Sequence, residues 1–375
     1  MSKKIAFASH VATIDGKQYD AIGDALKDSL GVVAQKFIFV RHSMDGLIDS
    51  EVQYYEGSKS VNKDVIKVIK GIAPLRYITE VMASVWYFCF KQKVDVYVGV
   101  DPLNALAGII LRYLHRVDTT IFYTSDYSPS RFNNKMLDQA YHAIDKYCVK
   151  HADEVWSVSS RIVNIRKQMG LADAKNILVP NAPPAEYAEL FSAKRNKYEL
   201  VTLGIVDKQL DSAGMIKAVA GLKDKYPKIK FTIIGNGPEE VNLKKLAADN
   251  NVADRVEFTG RLAFKDAQSR VARAGIGLAL YTGAWGFNKY GDSTKCREFF
   301  TYGLPVISTD THATVDELVE HGAGMLVEQS IDDYVRAVED IIENYDGYAE
   351  ESFKLGQKYL GVHESQLKRI LNAEN

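Results

Sequence analysis

Short apolar runs alternate with amphipathic stretches along the whole chain. Lys4–Ser9 (KIAFAS), Val33–Val40, Val94–Val100, Thr119–Thr124, Glu154–Ser157 and Asn176–Pro180 read as strands. Runs of about four to eight apolar, β-branched and aromatic residues suit strands buried on both faces. Gln53–Tyr55 is a weaker strand signal. Helical spacing fills the gaps at Tyr19–Leu30, Leu103–Leu114, Asn134–Ala152 and Ser159–Met169. His10 and the residues up to Gly16 read as a loop after the first strand. Asp101-Pro102 is a helix start, because Asp accepts first-turn N–H bonds and Pro fits the first helical position. Strand, loop, helix and strand in this order predict a doubly wound parallel sheet.

Asn181-Ala182-Pro183-Pro184 breaks the rhythm, and a linker reaches to about Asn196. The rhythm then restarts. Tyr198–Ile205, Lys230–Ile234, Arg255–Phe258, Ile276–Tyr281, Val306–Ile307 and Gly324–Val327 read as strands. Ala213–Tyr226, Pro238–Asn250, Lys265–Arg273 and Ile331–Tyr345 read as helices. The tail Glu351–Ile370 has a helical pattern and no strand partner. The fold class is therefore α/β, with two Rossmann-like doubly wound domains facing across a cleft and a C-terminal helix packing back across both. The domains are residues 1–185, residues 186–350 and the crossover 351–375.

One stretch departs from the alternation. Lys59–Lys93 mixes Lys59, Lys63, Lys67, Lys70, Arg76, Lys91 and Lys93 with aliphatic and aromatic residues. Two readings stand: core-packed helices with solvated lysine stems, or a surface that lies against a membrane. The apolar content of Tyr77–Phe90 suits a buried helix, and Lys63–Lys70 is the better surface candidate.

Charge changes the picture little. The 375 residues carry a formal net charge of −1, which excludes a global affinity for polyanions and argues against a nucleic-acid partner. Residues 1–180 hold 23 basic and 19 acidic residues, and the remainder 24 and 29. A basic first half can face anionic lipid or acceptor phosphates. Cys89, Cys148 and Cys296 show neither a pairing pattern nor metal spacing. The start MSKKIAFASH has no secretory pattern, so the expected setting is cytoplasmic, at most at the inner face of the cell membrane. No apolar run is long enough to span a bilayer.

Ligands of doubly wound sheets sit at the carboxyl ends of the strands, so the residues there are the candidates for chemistry. Gly235-Asn236-Gly237-Pro238 lacks the third glycine of a dinucleotide loop and reads as a tight strand-to-helix turn. No phosphate loop of the GxxxxGK type occurs, and no HExxH or CxxC supports a metal. Asp126, after an apolar strand and among Ser125, Tyr127 and Ser128, is the candidate base, or else a turn carboxylate. Asp101 has the same two readings. His10 is a base, a hydrogen-bond donor or a structural residue.

Gly291–Thr309 (GDSTKCREFFTYGLPVIST) carries the sharpest signal. Asp292 or Ser293 caps a short helix, and Gly303 and Pro305 end it. Lys295 and Glu298, three apart, share one face of its first turns. They are either a surface ion pair or a site for phosphates and sugar hydroxyls at the helix N-terminus. Gly283, Gly286 and Gly291 precede them, where backbone can approach a ligand.

Asp292-Ser293-Thr294-Lys295, Glu298-Phe299 and Tyr302-Gly303-Leu304-Pro305-Val306 together resemble the donor motif of GT-B glycosyltransferases of the family 4 (group 1) type. Phe231–Pro238 (FTIIGNGP), Val256–Leu262 (VEFTGRL) and Ile276–Tyr281 agree with it. The resemblance covers most of residues 198–345 and is looser in the first half, at Asp101–Gly108 and Tyr123–Tyr127. It implies a nucleotide-sugar donor, of UDP or GDP type, with no cofactor and no metal. Glu298 would hold the ribose, Lys295 the diphosphate, and Gly260, Arg261 and Leu262 the base. Backbone at Ser293, Thr294 and Lys295, with Lys208 and Tyr281, would complete the donor site. A glycan or lipid-linked acceptor would lie near His10, Asp101 and Asn104, with Asp126 as base. The implied activity is sugar transfer in bacterial surface polysaccharide assembly.

Two departures stand out. The family commonly has a second Glu eight residues before the ribose Glu, where this chain has Tyr290. Gly204-Ile205-Val206-Asp207-Lys208 offers only Lys208 of the usual Arg and Lys pair. Retention and inversion both remain open, as do a nucleotide-sugar 2-epimerase and a non-catalytic sugar-binding protein of the same fold.

Overall fold

The structure is a computed structural model that describes residues 3–14, 17–132, 134–187, 194–283 and 289–372. The chain forms two compact units: Met1–Pro184 with Gly361–Asn375, and Ala185–Leu360. Part of the linker, residues 188–193, lies outside the described residues, as do Gly16 and Gly286.

The first unit is built on one sheet. Its strands are β1 (Ile5–Ile14), β2 (Lys17–Tyr19), β3 (Lys36–Ser43), β4 (Ser50–Glu56), β5 (Lys59–Ile66), β6 (Val96–Val100), β7 (Thr119–Thr124), β8 (Glu154–Ser157) and β9 (Asn176–Leu178). They lie in the order β5-β4-β3-β1-β6-β7-β8-β9, with β2 paired to the end of β1. From β3 to β9 the main sheet is parallel. Helices α1 (Ala21–Val33), α2 (Ala73–Phe90), α3 (Pro102–Tyr113), α4 (Lys135–His151) and α5 (Ser160–Gln168) connect the strands. Every residue of β6 is buried, as expected for a strand covered on both faces. Gly99 in β6 has no Cβ because the backbone of Asn104 and Ala105 in α3 occupies that space.

Three expectations are corrected here. His10 is not in a loop, because β1 runs on to Ile14 and pairs with β2 through Ala12. Lys59–Ile66 is not helical. It forms an antiparallel hairpin with β4 across Gly57, whose φ of 55° only glycine adopts readily. The hairpin is favoured by β-branched Val61 and Val65 at a spacing compatible with a strand. Finally, α2 is not a fully buried helix. It buries Arg76, Glu80 and Ser84 and leaves Leu75, Ile78, Met82, Trp86 and Phe90 exposed.

The second unit has six parallel strands: β10 (Glu199–Leu203), β11 (Lys230–Ile234), β12 (Val256–Gly260), β13 (Ile276–Ala279), β14 (Val306–Ser308) and β15 (Gly324–Leu326), in the order β12-β11-β10-β13-β14-β15. Helices α6 (Ser212–Leu222), α7 (Glu240–Asp249), α8 (Phe264–Arg273), α9 (Thr294–Thr301), α10 (Thr314–His321), α11 (Ile331–Glu343) and α12 (Tyr345–Tyr359) surround it. Leu200, Phe231, Ile233, Ile276 and Leu278 from the strands pack with Met215, Val219, Val338 and Ile341 from α6 and α11 in one core. The tail is not one helix. Gly361, at φ 67°, separates α12 in the second unit from α13 (Val362–Asn372), which packs on α1 in the first.

In both sheets the strand order reverses direction at one place, between β1 and β6 and between β10 and β13. Such a switch point leaves a crevice at the carboxyl ends of the strands. The polar clusters of the two units lie at these places.

Candidate functional site

In the second unit the crevice is walled by the loop after β10, the Tyr281 segment after β13, and the start of α9. The loop after β10 crosses the Gly235-Asn236-Gly237 turn. Gly204 N–H donates to Ile234 O (2.9 Å), Val206 N–H to Asn236 O (3.1 Å), and Glu239 N–H to Val206 O (3.0 Å). A Cβ at Gly235 would meet the Gly204 carbonyl, and one at Gly237 would meet Val206 backbone. The two glycines thus serve this crossing, as a tight turn requires. Lys208 is exposed, and its carbonyl accepts from Thr282 Oγ1 (2.8 Å), which ties the loop to the Tyr281 segment.

Helix α9 is held from below by packing. Phe299 sits over Gly277 of β13, where any side chain would collide with its ring. Cys296, Phe299 and Phe300 are buried, and the backbone of Phe300 touches Gly356 of α12. With that face packed, Lys295 and Glu298 turn to the other side, one turn apart. Ser293 is the cap: its Oγ accepts from Cys296 N–H at 3.4 Å. Thr294 is exposed at the first helical position. The first-turn N–H groups left open by the helix face the same side as its positive dipole end. Gly303, at φ 66°, ends the helix, and Arg195 donates to the carbonyls of Tyr302 (2.6 Å) and Gly303 (2.8 Å).

Lys295 and Glu298 do not pair with each other. Lys295 Nζ donates to the Tyr281 hydroxyl at 3.2 Å and lies 5.1 Å from the centroid of that ring. Its stem also lies close to Gly204. Tyr281, Gly291, Asp292, Ser293, Thr294, Lys295, Thr311 and His312 line a pocket of about 170 Å³. Glu298 sits deeper. Burial raises its pKa, and Gln268 and Lys295 pull it back only in part, so the carboxyl titrates at about 7. Gln268 Oε1 in turn accepts from the Tyr302 hydroxyl at 2.7 Å.

Asp292 does not cap α9. Its carboxylate is buried and accepts from Arg297 Nε (3.0 Å), from Arg297 Nη2 (2.8 Å) and from Thr314 Oγ1 (2.8 Å). Arg297 also pairs with Glu317, whose other oxygen accepts from Tyr359 OH at 2.5 Å. Thr314 Oγ1 accepts from Ser293 N–H at 2.8 Å. A buried ionic network from α9, α10 and α12 therefore fixes the residues that open α9. Nothing in the sequence pattern singled out Arg297, Glu317 or Arg195: Asp292 is near Arg297 in the chain, but Glu317 is 20 residues from it, and Arg195 is 107 from Tyr302.

At the end of β12, Gly260 has φ 67°, open space at its Cβ position, and a carbonyl accepting from Gly235 N–H at 2.9 Å. Arg261 is exposed and Leu262 half-buried. These three residues lie on the far side of β11 from Tyr281. Tyr290 is half-buried in the loop before α9.

The polar cluster of the first unit joins His10, Glu80, Asp101 and Asn104. His10 Nδ1 is 2.5 Å from Asp101 Oδ2, and Nε2 is 3.1 Å from Glu80 Oε2. Burial works against a charge on His10, but Asp101 and Glu80 outweigh it and lift its pKa to about 10. His10 is therefore an imidazolium with both N–H groups engaged. It has no lone pair to act as a base. Asp101 caps α3, accepting at Oδ1 from the N–H groups of Leu103 (2.8 Å) and Asn104 (3.0 Å), and adopts φ 75°. Asn104 Nδ2 donates to Asp101 Oδ2 (2.9 Å) and Val100 O (3.0 Å). Neighbouring His42 is driven down to about 3 by burial and the charge on His10. It is neutral, bonded to Ser50 Oγ and Ser84 Oγ at 2.9 Å each. The sequence reading missed Glu80 and His42. Asp126 follows β7, is 55% exposed, and forms an ion pair with Arg131. Among the described residues no cluster of three or more His, Cys, Asp or Glu is placed to hold a metal.

Comparison with known proteins bears on this geometry. Residues 189–358, most of the second unit, match the family model of glycosyl transferases group 1. The chain is 24% identical over 260 residues to the O-antigen biosynthesis glycosyltransferase WbnH of Escherichia coli, covering 68% of this chain and 71% of that protein. It is 24% identical over 266 residues to a component of the phosphatidylinositol N-acetylglucosaminyltransferase of Arabidopsis thaliana; the alignment covers 67% of this chain and only 55% of the plant protein. The fold is similar to that of HepE from Anabaena in complex with UDP (TM-score 0.67, 15% identity, 98% of this chain and 99% of that one). It is also similar to that of WaaG, a glycosyltransferase involved in lipopolysaccharide biosynthesis (TM-score 0.61, 12% identity, 99% and 100%). The second unit is thus similar to the group 1 glycosyl transferases, and the two Rossmann-like units have the GT-B fold.

Proposed function

We propose that this glycosyltransferase takes its sugar from a nucleoside diphosphate sugar, of UDP or GDP type, and passes it to a glycan or lipid-linked acceptor of a bacterial surface polysaccharide. The observation that carries the proposal is the start of α9. There Lys295, held on Tyr281, and the first-turn N–H groups converge on one pocket, with the Glu298 carboxyl one turn behind. Lys295 Nζ would meet a phosphate oxygen, and ionised Glu298 would accept both ribose hydroxyls. Ser293 and Thr294 would add backbone N–H groups, and Lys208 a second cation. Gly260, Arg261 and Leu262 remain the proposed base contacts.

As the glycosidic bond breaks, charge develops on the departing diphosphate. Fixed cations and helix N–H groups aimed there lower the barrier, since they need no reorganisation. A reaction that needs no metal is part of this reading. The names of similar proteins are consistent with it: HepE was solved with UDP-glucose, and WbnH acts in O-antigen biosynthesis.

On the acceptor side the reading rests on Asp126. The polar atoms of His10, Asp101 and Asn104 are largely taken up by one another, so these residues shape the first unit's crevice more than they contact a sugar. Asp126 is exposed at the end of β7, and an acceptor hydroxyl would take the place of Arg131 beside its carboxylate.

The test is calorimetric titration with UDP, GDP and their sugars, followed by transfer assays. Lys295→Ala and Glu298→Ala should each depress transfer strongly in a folded protein. Full activity in both would sink the site assignment. Asp126→Asn with normal turnover would remove it as the base. Isomerised donor in the absence of acceptor would identify an epimerase instead.

A further inference from the structure

Helix α2 buries Tyr87 and Phe88 in the core and also turns its charged residues inward. Its charged residues, Arg76 and Glu80, are 4% and 2% exposed, and Ser84 is fully buried. Each has a partner inside: Arg76 Nη2 donates to Met44 O (2.7 Å), Glu80 meets His10, and Ser84 meets His42. The residues are spaced by four, so they form one polar stripe pointing into the unit. The opposite face is apolar. Leu75, Ile78, Met82, Trp86 and Phe90 follow one another at spacings of three or four and are 45% to 74% exposed. No charged side chain interrupts them. Trp86 and Phe90 pack together at one end, with ring centroids 5.9 Å apart. Isolated exposed apolar residues are ordinary, but an uninterrupted stripe along an 18-residue helix is not.

The charge around the stripe indicates what covers it. Between Lys59 and Lys93 stand six lysines and one arginine against two carboxylates. Arg76 and Glu80 are buried, and Asp64 accepts from the Tyr87 hydroxyl at 2.5 Å. Lys63 and Lys70 pair with Glu51 and Asp49. Lys59, Lys67, Lys91 and Lys93 are exposed and form no ion pair among the described residues. Lys67 and Lys91 also line the groove of about 710 Å³ between β5 and α2, together with Met82 and Trp86. The stripe thus has free lysines beyond both ends of the helix, and the Trp86 indole N–H is the one polar group among its five side chains.

We propose that α2 lies in the surface of a bilayer rich in anionic lipid, with Met82, Trp86 and Phe90 among the acyl chains and the lysines at the phosphates. An interfacial helix needs an apolar face and cations at headgroup level, and this face supplies both. No helix among the described residues is long and apolar enough to cross a membrane, so the contact is a surface one. The inference does not depend on which donor the enzyme uses.

The test is vesicle flotation of the full chain, with phosphatidylcholine alone and with phosphatidylcholine containing phosphatidylglycerol. Binding is expected to the anionic vesicles, weaker binding to the neutral ones, and release as salt rises. Met82→Glu with Trp86→Glu should lower partition at least about tenfold, since two charges would enter an apolar layer. Both positions are exposed, so folding, checked by circular dichroism, should be unchanged. Lys67→Glu with Lys91→Glu should abolish the preference for anionic lipid while leaving the apolar face intact. Absence of binding to anionic vesicles at low salt overturns the proposal, as does binding indifferent to both double variants. A dimer in solution that the Met82 and Trp86 changes dissociate would also overturn it, by assigning the face to a second copy of the chain.

Discussion

Lys295 Nζ donates to the hydroxyl of Tyr281 at 3.2 Å, and this single bond joins the end of β13 to the first turn of α9. A lysine carries several rotatable bonds, and fixing it costs entropy. Tyr281 and the bare Gly204 backbone restrict it before any ligand arrives.

Removing the cation should therefore cost more than removing its support. A hydrogen bond to a charged group contributes about 1.5–3 kcal/mol. Lys295→Ala should weaken binding of a nucleoside diphosphate by about 10- to 100-fold, read by calorimetry. Tyr281→Phe keeps the ring and removes only the acceptor. It should weaken binding less than about tenfold, in the range of one neutral hydrogen bond. An equal loss in both would mean that Tyr281 itself meets the ligand.

Glu298 gives the donor site a pH dependence. Its pKa rises from 4.5 to about 7 through burial. A carboxylate accepts two bonds from a ribose diol, whereas the protonated acid has lost an acceptor. Nucleotide affinity should fall as pH drops through 7 and level off above about 8. Stability runs the other way. The folded state holds the proton more tightly than the unfolded one, so stability falls as pH rises from 4.5 to 7. Glu298→Gln should raise the unliganded protein's stability by ~1 kcal/mol at pH 8, where the buried charge is removed, and should abolish the pH dependence of binding.

These residues were legible in the sequence because they are local. Lys295, Glu298, the Ser293 cap and the Gly303-Leu304-Pro305 stop fall within one short stretch, and helical periodicity alone places the two charges on one face. The alternation of strands and helices was legible for the same reason. Long-range pairing was not. Nothing in the segment around Glu80 announces that β1 brings His10 to it, and nothing around Arg297 announces Glu317, 20 residues on. Helix α2 was misread because its apolar content was counted without phase. Arg76, Glu80 and Ser84 repeat every fourth residue, and a polar stripe of that kind can face inward when a buried partner awaits it.

The Asp292–Arg297–Glu317 network makes a stability prediction at the base of the same site. Arg297 is 2% exposed and sits between two carboxylates. Arg297→Met removes the cation and leaves both anions buried, a loss of about 3–5 kcal/mol in comparable ion pairs. Urea unfolding should show this as a lower midpoint of the second unit. Arg297→Lys keeps the charge but cannot span Asp292, Glu317 and the Tyr359 ring at once, so its midpoint should lie between the two. Nucleotide affinity should fall in the Met variant even where it is folded, because Asp292 then no longer anchors Thr314 under Ser293.

His10 supplies the last prediction, with the opposite dependence on alkali from an ordinary surface histidine. Asp101 and Glu80 overcome the burial penalty and lift its pKa from 6.5 to about 10. The folded state therefore keeps a proton that the unfolded state loses above 6.5. The stabilisation is complete below pH 6.5 and is lost progressively as pH rises towards 10. The slope from this one group approaches ~1 kcal/mol per pH unit within that window. His10→Gln keeps two polar contacts but no charge, and leaves Asp101 without its cation and Glu80 with only the more distant Arg76, at 3.8 Å. It should lower stability at pH 6 by a few kcal/mol, on the order of 2–4. It should also flatten the slope between pH 7 and 9. The readout is the urea midpoint of the first unit at several pH values. A slope that survives the substitution would assign the alkaline loss to another group and dissolve the link between His10 and the two carboxylates.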